Sequence, residues 1–387
     1  MKAQITGNKA AAIAAKLCRP QIISAYPITP QTTIIEYLSQ MVASGEINAE
    51  YIKVESEHSA MAACIGAAAA GCRVFTATSS QGLLLMHEML FQASGLRLPI
   101  VMVNVNRAVG APWTIYTDQS DSMAQRDTGW IQFYCENVQE VLDMIIQSYR
   151  IAEKISLPIM VISEGFVLSH TTEPVEIPEQ GRVDEFLPPY QPKWKLDTNN
   201  PMAFGGHASS IQYAELRKSI EKAMEEVSDV QPEAAEEFCQ FFGRKYLPIE
   251  FEGRPDPEVL VVSSGTISGT VREVLKNHPD VSLMKIRMFR PFPYDLVRKL
   301  SWRSEKIVVL DRNISFGSGG IFAESIRSSL YNSAHRPPIF EFIVGIGGTD
   351  VTPKTVSDIL DYVLGHNFPA SRPIWQSDLI RLSDRRD

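Results

Sequence analysis

Several patterns that would assign a function directly are missing from this chain of 387 residues. It has no Gly-x-x-x-x-Gly-Lys-Ser/Thr loop, and no Gly-x-Gly-x-x-Gly fingerprint follows a strand-like segment. Neither a P-loop nor a nicotinamide-binding turn is therefore expected. The five cysteines include no Cys-x-x-Cys pair, and their spacing matches neither a zinc site nor an iron–sulfur cluster. We therefore expect no metal-binding residues on this chain.

Charge and hydropathy exclude two further classes of protein. The net charge is −8, from 37 basic and 45 acidic residues, and no Lys/Arg cluster forms the basic stripe that nucleic acid would require. No apolar run reaches the length of about 18 residues that a membrane span needs. The Ala-rich N-terminal segment is interrupted by Lys16 and lacks the apolar region and cleavage site of a signal peptide. We expect a cytoplasmic protein with neither a membrane span nor a nucleic-acid partner.

Short runs rich in Val and Ile alternate with helical patterns in the first part of the chain. The predicted strands are Gln21–Ala25, Tyr51–Val54, Arg73–Ala77, Ile100–Asn106 and Pro158–Ser163. The predicted helices are Pro30–Ser44, Glu57–Ala70, Gln81–Ser94 and Val138–Lys154. This alternation is typical of a parallel sheet that helices cover on both faces.

The alternation of strand and helix patterns stops after the last of these strands. Residues 170–210 are Pro-rich and irregular, a charged helical stretch follows from Ile211 to about Gly243, and Gly253–Pro257 punctuates the chain. From Val259 to Val344 the strand–helix alternation resumes. The sequence predicts an α/β protein of two parallel-sheet domains. The first covers residues 1–253, with an irregular and helical extension from about 170, and the second covers 254–387.

Two strand-to-helix junctions carry polar residues where an open parallel sheet binds ligands. At the first, Thr29 is placed as a helix N-cap and Pro30 as the first helical residue, which would leave backbone amides free for a carboxylate. A merely well-capped helix is the alternative. At the second, Ser56 can cap the following helix, and Glu57 in its first turn is either a functional carboxylate or a charge placed there for the helix dipole.

A third junction joins the strand ending at Asn106 to a long loop that runs to Met123. Arg107, at the strand end, can clamp a carboxylate or pair with Asp118 or Asp121. Loops of this length in a compact domain are usually functional. The glycine-rich Phe316–Gly320 indicates the close-packed start of a helix rather than a phosphate loop.

These segments, taken in order, resemble the α subunits of pyruvate:ferredoxin oxidoreductases, which are thiamine-diphosphate enzymes of the 2-oxoacid:ferredoxin oxidoreductase family. The resemblance extends from the first junction almost to the end of the chain. The matching strings are AYPITPQT, VESEHSAM, SSQGLLLMHEML, NRAVGAPW, DQSDSMAQRDTGWIQ, FRPFP, DRNISFG and IVGIGGTDVT.

The resemblance implies a fold and a role for individual residues. The first domain would be a pyrimidine-binding thiamine-diphosphate fold, and the second would resemble the transketolase C-terminal domain. Glu57 would hydrogen-bond the aminopyrimidine N1′ of the cofactor, which Pro27 and Ile28 would also contact. Thr29 and Arg107 would hold the substrate carboxylate, and with Glu57 they would form the catalytic set.

The resemblance also implies partners. The motif that binds the diphosphate and its Mg²⁺, Gly-Asp-Gly followed at a distance by Asn, is missing from this chain, so a β subunit would supply that half of the site. A γ subunit and a ferredoxin-like δ subunit would complete the assembly, with the [4Fe-4S] clusters on partner subunits. The complex would convert pyruvate and coenzyme A to acetyl-CoA and CO₂ and pass electrons to ferredoxin, and this chain alone would be inactive.

The substrate has alternatives. Relatives that act on aromatic or branched-chain 2-oxoacids, such as phenylglyoxylate or 2-oxoisovalerate, share the architecture, although Asp118–Met123 resembles the pyruvate class more than the 2-oxoglutarate class. Trp113, in the loop 111–123, either lines the substrate pocket or only packs. A nicotinamide-dependent dehydrogenase and a scaffold subunit with a decayed site are weaker hypotheses. The joint presence of Thr29, Glu57 and Arg107 counts against decay.

Overall fold

A computed structural model describes residues 1–383; residues 384–387 of the predicted second domain lie outside the described residues. The first part of the chain begins with a strand that the sequence did not predict. Its strands are β1 (Lys2–Thr6), β2 (Ile22–Ala25), β3 (Glu50–Lys53), β4 (Val74–Thr78), β5 (Val101–Asn106), β6 (Ile131–Tyr134), β7 (Ile159–Glu164) and β8 (Thr172–Glu176). Its helices are α1 (Gly7–Leu17), α2 (Thr32–Ala43), α3 (Glu57–Ala69), α4 (Ser80–Leu85), α5 (His87–Gly95), α6 (Ser120–Met123), α7 (Val138–Ile155), α8 (Gln180–Phe186) and α9 (Ser210–Phe242).

The second part repeats the alternation of strands and helices. Its strands are β9 (Ile249–Glu252), β10 (Val259–Ser263), β11 (Val281–Ile286), β12 (Met288–Arg290), β13 (Lys306–Asp311), β14 (Ile339–Ile343) and β15 (Ile374–Trp375). Its helices are α10 (Ile267–Leu275), α11 (Tyr294–Ser301), α12 (Ile321–Leu330), α13 (Pro353–Leu364) and α14 (Gln376–Ser383), with a short 3₁₀ turn at Ile346–Gly348.

Two large sheets organise the molecule. The first has seven strands in the order β12-β6-β7-β5-β4-β2-β3, and the second has six in the order β15-β14-β13-β10-β11-β9. Within them only β12 and β9, each at a sheet edge, pair antiparallel. The central strands β4, β5 and β7 are buried along their whole length, as parallel strands covered on both faces should be. The expected α/β architecture with parallel sheets is confirmed.

Each part of the chain contributes one strand to the sheet of the other part. β12 follows the predicted boundary at 253/254 yet joins the first sheet, and β9 precedes it yet joins the second. Trp130 and Tyr134 from the first part and Phe289 and Phe322 from the second lie in one apolar cluster. Burial of these large side chains stabilises the two parts as neighbours. The division at 253/254 itself stays a prediction.

A buried ion cluster also joins the two parts. Glu140 of α7 accepts hydrogen bonds from Lys285 at 2.7 Å and from Arg287. All three side chains are at most 2% exposed. Burial opposes ionisation of Glu140, but the two cations outweigh it and lower the pKa of Glu140 to about 2. Removing one member of such a cluster leaves an uncompensated buried charge.

Candidate functional site

The predicted site residues all follow neighbouring strands of the first sheet. In the order β5-β4-β2-β3, the segment after β5 carries Arg107, the segment after β2 carries Thr29, and the segment after β3 carries Glu57. Parallel strands end at one edge, so these junctions converge where an open sheet binds ligands. The segment after β4, which begins α4, lies between them.

The first junction differs from the prediction. Thr29 does not cap the helix: α2 begins at Thr32, with Gln31 as its N-cap residue and no side-chain cap. The Thr29–Pro30 peptide is cis and forms a turn before the helix. The backbone N–H of Gln31 donates to the Ile28 carbonyl at 2.8 Å, so it is not free for an anion. Thr29 is exposed in this turn, which leaves its hydroxyl accessible to a ligand.

The second junction agrees with the prediction. Ser56 caps α3, accepting the Ser59 backbone N–H at 3.3 Å, and Glu57 is the first residue of the helix. Glu57 is only 6% exposed. Within residues 1–383, its carboxylate takes part in no hydrogen bond or ion pair. The side chain is thus largely enclosed and has no protein donor among the described residues, so a ligand that reaches this carboxylate can donate a hydrogen bond to it.

A glycine makes room for that carboxylate. Gly82, near the start of α4, faces the Glu57 side chain so closely that a Cβ built there would lie 2.8 Å from both Cγ and Cδ of Glu57. Real Cβ atoms essentially never approach other atoms this closely. The absence of a side chain at position 82 therefore sets where the Glu57 carboxylate lies.

The third junction joins two of the predicted residues. The Arg107 Nη1 donates to the Thr29 carbonyl at 2.7 Å, and Nη2 donates to the Gln81 Oε1 at 2.8 Å. The alternative ion pair with Asp118 or Asp121 does not form; the guanidinium makes no contact of this kind, and only the backbone N–H of Arg107 donates to the Asp121 carboxylate, at 3.2 Å. Burial lowers the pKa of Arg107, and the nearby Asp121 charge partly opposes that shift.

The structure adds two residues that sequence reasoning missed. Gln81 orients the Arg107 guanidinium, and Asp121 is fully buried beneath the ends of β4 and β5. Gln81 lies within SSQGLLLMHEML, one of the strings that carry the family resemblance, but no neighbouring residue in the sequence indicates that it contacts Arg107. In the sequence, Asp121 stands out only as an acidic residue in a long loop, because most of its hydrogen-bond partners belong to other segments of the chain.

The loop after Arg107 is partly exposed. Trp113 is 72% exposed and packs over Gly110, and Tyr116 lies against Phe166 with ring centroids 5.5 Å apart. The backbone N–H of Ala108 donates to the Tyr116 carbonyl at 3.0 Å, which fixes the base of the loop. The side chain of Trp113 therefore contributes little to the core of this chain.

The two remaining predicted residues lie beside a groove. Pro27 is exposed and Ile28 is half-buried. A groove of about 570 Å³ between α2 and β3 reaches this edge through Tyr26 and Pro27, and Tyr51 lines its other side. Pro27 therefore separates the groove from the turn that carries Thr29.

Two family models cover most of the chain. The model described as pyruvate flavodoxin/ferredoxin oxidoreductase, thiamine diphosphate-binding, matches residues 13–236, and pyruvate:ferredoxin oxidoreductase core domain II matches residues 257–356. The chain belongs to the pyruvate flavodoxin/ferredoxin oxidoreductase family. The resemblance inferred from the sequence is thereby confirmed.

Members of this family with high similarity carry two different names. Pyruvate synthase subunit PorA of Methanothermobacter thermautotrophicus is 48% identical over 92% of this chain and 94% of its own. Ketoisovalerate oxidoreductase subunit VorA of Pyrococcus horikoshii is 49% identical over 93% of each chain. Both are named as subunits of larger enzymes.

A solved structure has the same fold. It is the 2-oxoglutarate:ferredoxin oxidoreductase from Magnetococcus marinus with 2-oxoglutarate, coenzyme A and succinyl-CoA bound. It superposes with a TM-score of 0.73 at 21% identity, over 93% of this chain and 65% of that one. The chain thus spans about two thirds of that longer polypeptide. Within residues 1–383, no helix is long and apolar enough to cross a membrane.

The site residues fit the aminopyrimidine half of thiamine diphosphate. A protonated ring nitrogen needs a carboxylate acceptor, and Glu57 is largely buried, has no hydrogen-bond partner among residues 1–383 and lies against Gly82, which leaves room for it. The family model that covers this region is described as thiamine diphosphate-binding. Among the described residues, no group of three or more His, Cys, Asp and Glu side chains is arranged to hold a metal ion.

Proposed function

We propose that this chain supplies the aminopyrimidine-binding half of the thiamine-diphosphate site in an oxidoreductase that converts pyruvate and coenzyme A to acetyl-CoA and CO₂. The observation that carries the proposal is that Glu57, 6% exposed and without a hydrogen-bond partner in the described residues, lies at the same sheet edge as the linked pair Thr29 and Arg107. Family membership supports the reaction class, since relatives named pyruvate synthase subunits are 46–49% identical to this chain.

Each residue has a chemical task. When bound, thiamine diphosphate supplies the carbon nucleophile and the electron sink for decarboxylation. Glu57 accepts a hydrogen bond from N1′ of the aminopyrimidine and so holds a proton at that atom. Arg107 binds the substrate carboxylate through its charged guanidinium, and the exposed Thr29 hydroxyl donates a second hydrogen bond to it. Pro27 and Ile28 complete the contact with the pyrimidine ring.

The overall reaction requires further components. One 2-oxoacid and one coenzyme A thiol yield an acyl-CoA, CO₂, one proton and two electrons. We assign the electrons to [4Fe-4S] clusters on γ and δ partner subunits and then to ferredoxin, and the diphosphate and Mg²⁺ to a β subunit. The names of the relatives as subunits support a complex of this kind, and we propose that it acts in the cytoplasm.

Pyruvate is the proposed substrate, and 2-oxoisovalerate is the second candidate. Relatives named for either substrate are equally similar, at 48% and 49% identity, so overall identity does not separate them. The segment Asp118–Met123 and the family description favour pyruvate. The ratio of kcat/KM for the two acids in the assembled complex decides between them. A larger value for 2-oxoisovalerate would assign the chain to the branched-chain class.

The decisive test is made in the assembled complex. Glu57→Gln keeps the size of the side chain but removes its charge, and we expect turnover to fall about 10²–10⁴-fold, the usual contribution of a proton-transfer group. Glu55→Gln is the matched control, because Glu55 is an exposed carboxylate on the same junction. Coenzyme A-dependent reduction of ferredoxin is the readout. Full activity of Glu57→Gln would refute the mechanism, and a complex inactive with every 2-oxoacid would refute the function.

A further inference from the structure

We propose that Asp121 is a positioning residue, which holds Gln81 and Arg107 in the geometry that binds the substrate carboxylate. The proposal rests on the proposed function, because it takes Arg107 as the ligand of that carboxylate. Asp121 does not touch the substrate in this arrangement. It forms hydrogen bonds with residues at the ends of the neighbouring strands β4 and β5.

The Asp121 carboxylate is the meeting point of three segments. It is fully buried, and within the described residues no cation pairs with it. It accepts one hydrogen bond from the β4–α4 junction, the Ser80 N–H at 2.9 Å, and one from α6, the Ser122 N–H at 2.7 Å. Three more come from β5 and the residue after it: Asn104 Nδ2 at 3.1 Å, Asn106 Nδ2 at 2.5 Å and the Arg107 N–H at 3.2 Å. Both oxygens are therefore engaged by N–H donors only.

One of these bonds stabilises an unfavourable backbone conformation. Ser80 has a φ of 49°, in the left-handed region that residues other than glycine rarely adopt. Its N–H donates to Asp121, and its hydroxyl donates to the Ala108 carbonyl at 2.8 Å. Such strain persists where the surroundings over-determine it, and it clusters at functional sites. The turn at Ser80 directs Gln81 toward Arg107.

The other bonds act on Arg107 directly. Asp121 accepts the backbone N–H of Arg107, which fixes where this residue leaves β5. Gln81 then accepts a hydrogen bond from Nη2 of the guanidinium, and the Thr29 carbonyl accepts one from Nη1. Backbone position and side-chain direction of Arg107 are therefore both set through Asp121. Binding is strongest when the clamp is oriented before the substrate arrives.

An asparagine at this position cannot reproduce the arrangement. Both oxygens of Asp121 face N–H donors, so the amide NH₂ of Asp121→Asn would meet a donor whichever way the amide is turned. The near-isosteric substitution therefore displaces the strand ends. It should disturb the Glu57 pocket less than Arg107, since the five hydrogen bonds of Asp121 include none to Glu57 or to Gly82.

The experiment separates substrate binding from cofactor binding in the assembled complex. For Asp121→Asn we expect KM for the 2-oxoacid to rise about tenfold to a hundredfold, the range for losing the orientation of one charged hydrogen bond. The affinity for thiamine diphosphate, measured by quenching of protein fluorescence, should stay within about twofold of wild type, because Asp121 makes no hydrogen bond with Glu57. A role confined to structure would change both quantities together.

A matched control addresses stability. Asp311 is a second fully buried carboxylate without a cation partner in the described residues, and it accepts the backbone N–H groups of Phe322 and Ala323 at the start of α12. Asp311→Asn should lower the melting temperature but leave KM unchanged. If Asp121→Asn does not assemble, the same substitution in a Ser80→Gly background relieves the left-handed strain, and its KM is measured there.

The outcomes are distinct. An unchanged KM for Asp121→Asn, or an equal loss of cofactor affinity, would overturn the positioning role. An Arg107→Ala complex with wild-type KM would overturn the proposed function of Arg107 instead. If KM rises for Arg107→Ala but not for Asp121→Asn, the function stands and the positioning proposal fails.

Discussion

Replacing Gly82 by alanine would place a methyl group against the Glu57 side chain. The new Cβ would lie closest to Oε1 of Glu57 and 2.8 Å from its Cγ and Cδ; the two carbons would have to move by about 0.6 Å, and Oε1 by more, to reach the 3.4 Å of ordinary van der Waals contact. The atoms that must move belong to a flexible side chain without a hydrogen-bond partner in the described residues. Glu57 therefore moves, and the backbone does not.

The expected consequence is a loss of activity without a comparable loss of stability. Alanine in a helix gains about 0.5–1 kcal/mol over glycine, which offsets much of an overpacking cost of about 1–3 kcal/mol. We expect the melting temperature of the Gly82→Ala complex to fall by a few degrees at most, since 1 kcal/mol shifts it by about 2–4 °C in domains of 150–250 residues and by less in a larger chain. A carboxylate displaced by roughly 1 Å should lower turnover about 100-fold.

Gly66→Ala is the control for the backbone effect. Gly66 lies in α3, the helix that begins with Glu57, and a Cβ built there would meet nothing within 4 Å. This substitution should stabilise the complex slightly and leave turnover unchanged. Turnover and cofactor affinity are measured for both variants. Wild-type values for Gly82→Ala would show that the position of Glu57 does not limit the reaction, contrary to the reasoning above.

Further predictions concern the buried ion cluster and the exposed loop. Arg287→Met should destabilise the protein by about 3–5 kcal/mol in urea unfolding, because it leaves Glu140 with a single cation. Since the folded pKa of Glu140 is depressed to about 2, its contribution to stability is complete above its unfolded pKa of about 4.3 and is lost as the pH falls through 2. Glu140→Gln should flatten the acid unfolding curve in that window; an unchanged slope would refute this. Trp113→Ala should change the unfolding free energy by less than about 0.5 kcal/mol, because its side chain is 72% exposed.

Most central strands of the fold were predictable from the sequence, but two strands at one end of the first sheet were not. The predicted strands Ile100–Asn106 and Pro158–Ser163 match the observed Val101–Asn106 and Ile159–Glu164 to within one residue, because buried parallel strands are continuous apolar runs. The short edge strand Met288–Arg290 and the strand Ile131–Tyr134 were missed, since neither is a long apolar run. The predicted helix Gln81–Ser94 is two helices, which meet at Met86.

The site was predictable only where its signals are local. Ser56 and Glu57 follow directly from capping chemistry, which depends on neighbours three residues apart. The N-cap prediction for Thr29 was wrong because the turn at Pro30 is fixed by distant residues, among them Asn8, whose amide donates to the Pro30 carbonyl at 2.8 Å. The Arg107–Gln81 contact joins two different strand ends, and no spacing in the sequence encodes it.

The two parts of the site differ in how far this chain satisfies them by itself. Glu57 is 6% exposed and has no protein hydrogen-bond partner among the described residues. Arg107, in contrast, is already held by Thr29 and Gln81 before any substrate binds. The site thus combines a prearranged clamp for the substrate with an acceptor that is left open for a cofactor. Since a ligand that binds only the folded state stabilises it, binding at Glu57 and the stability of this sheet edge are coupled.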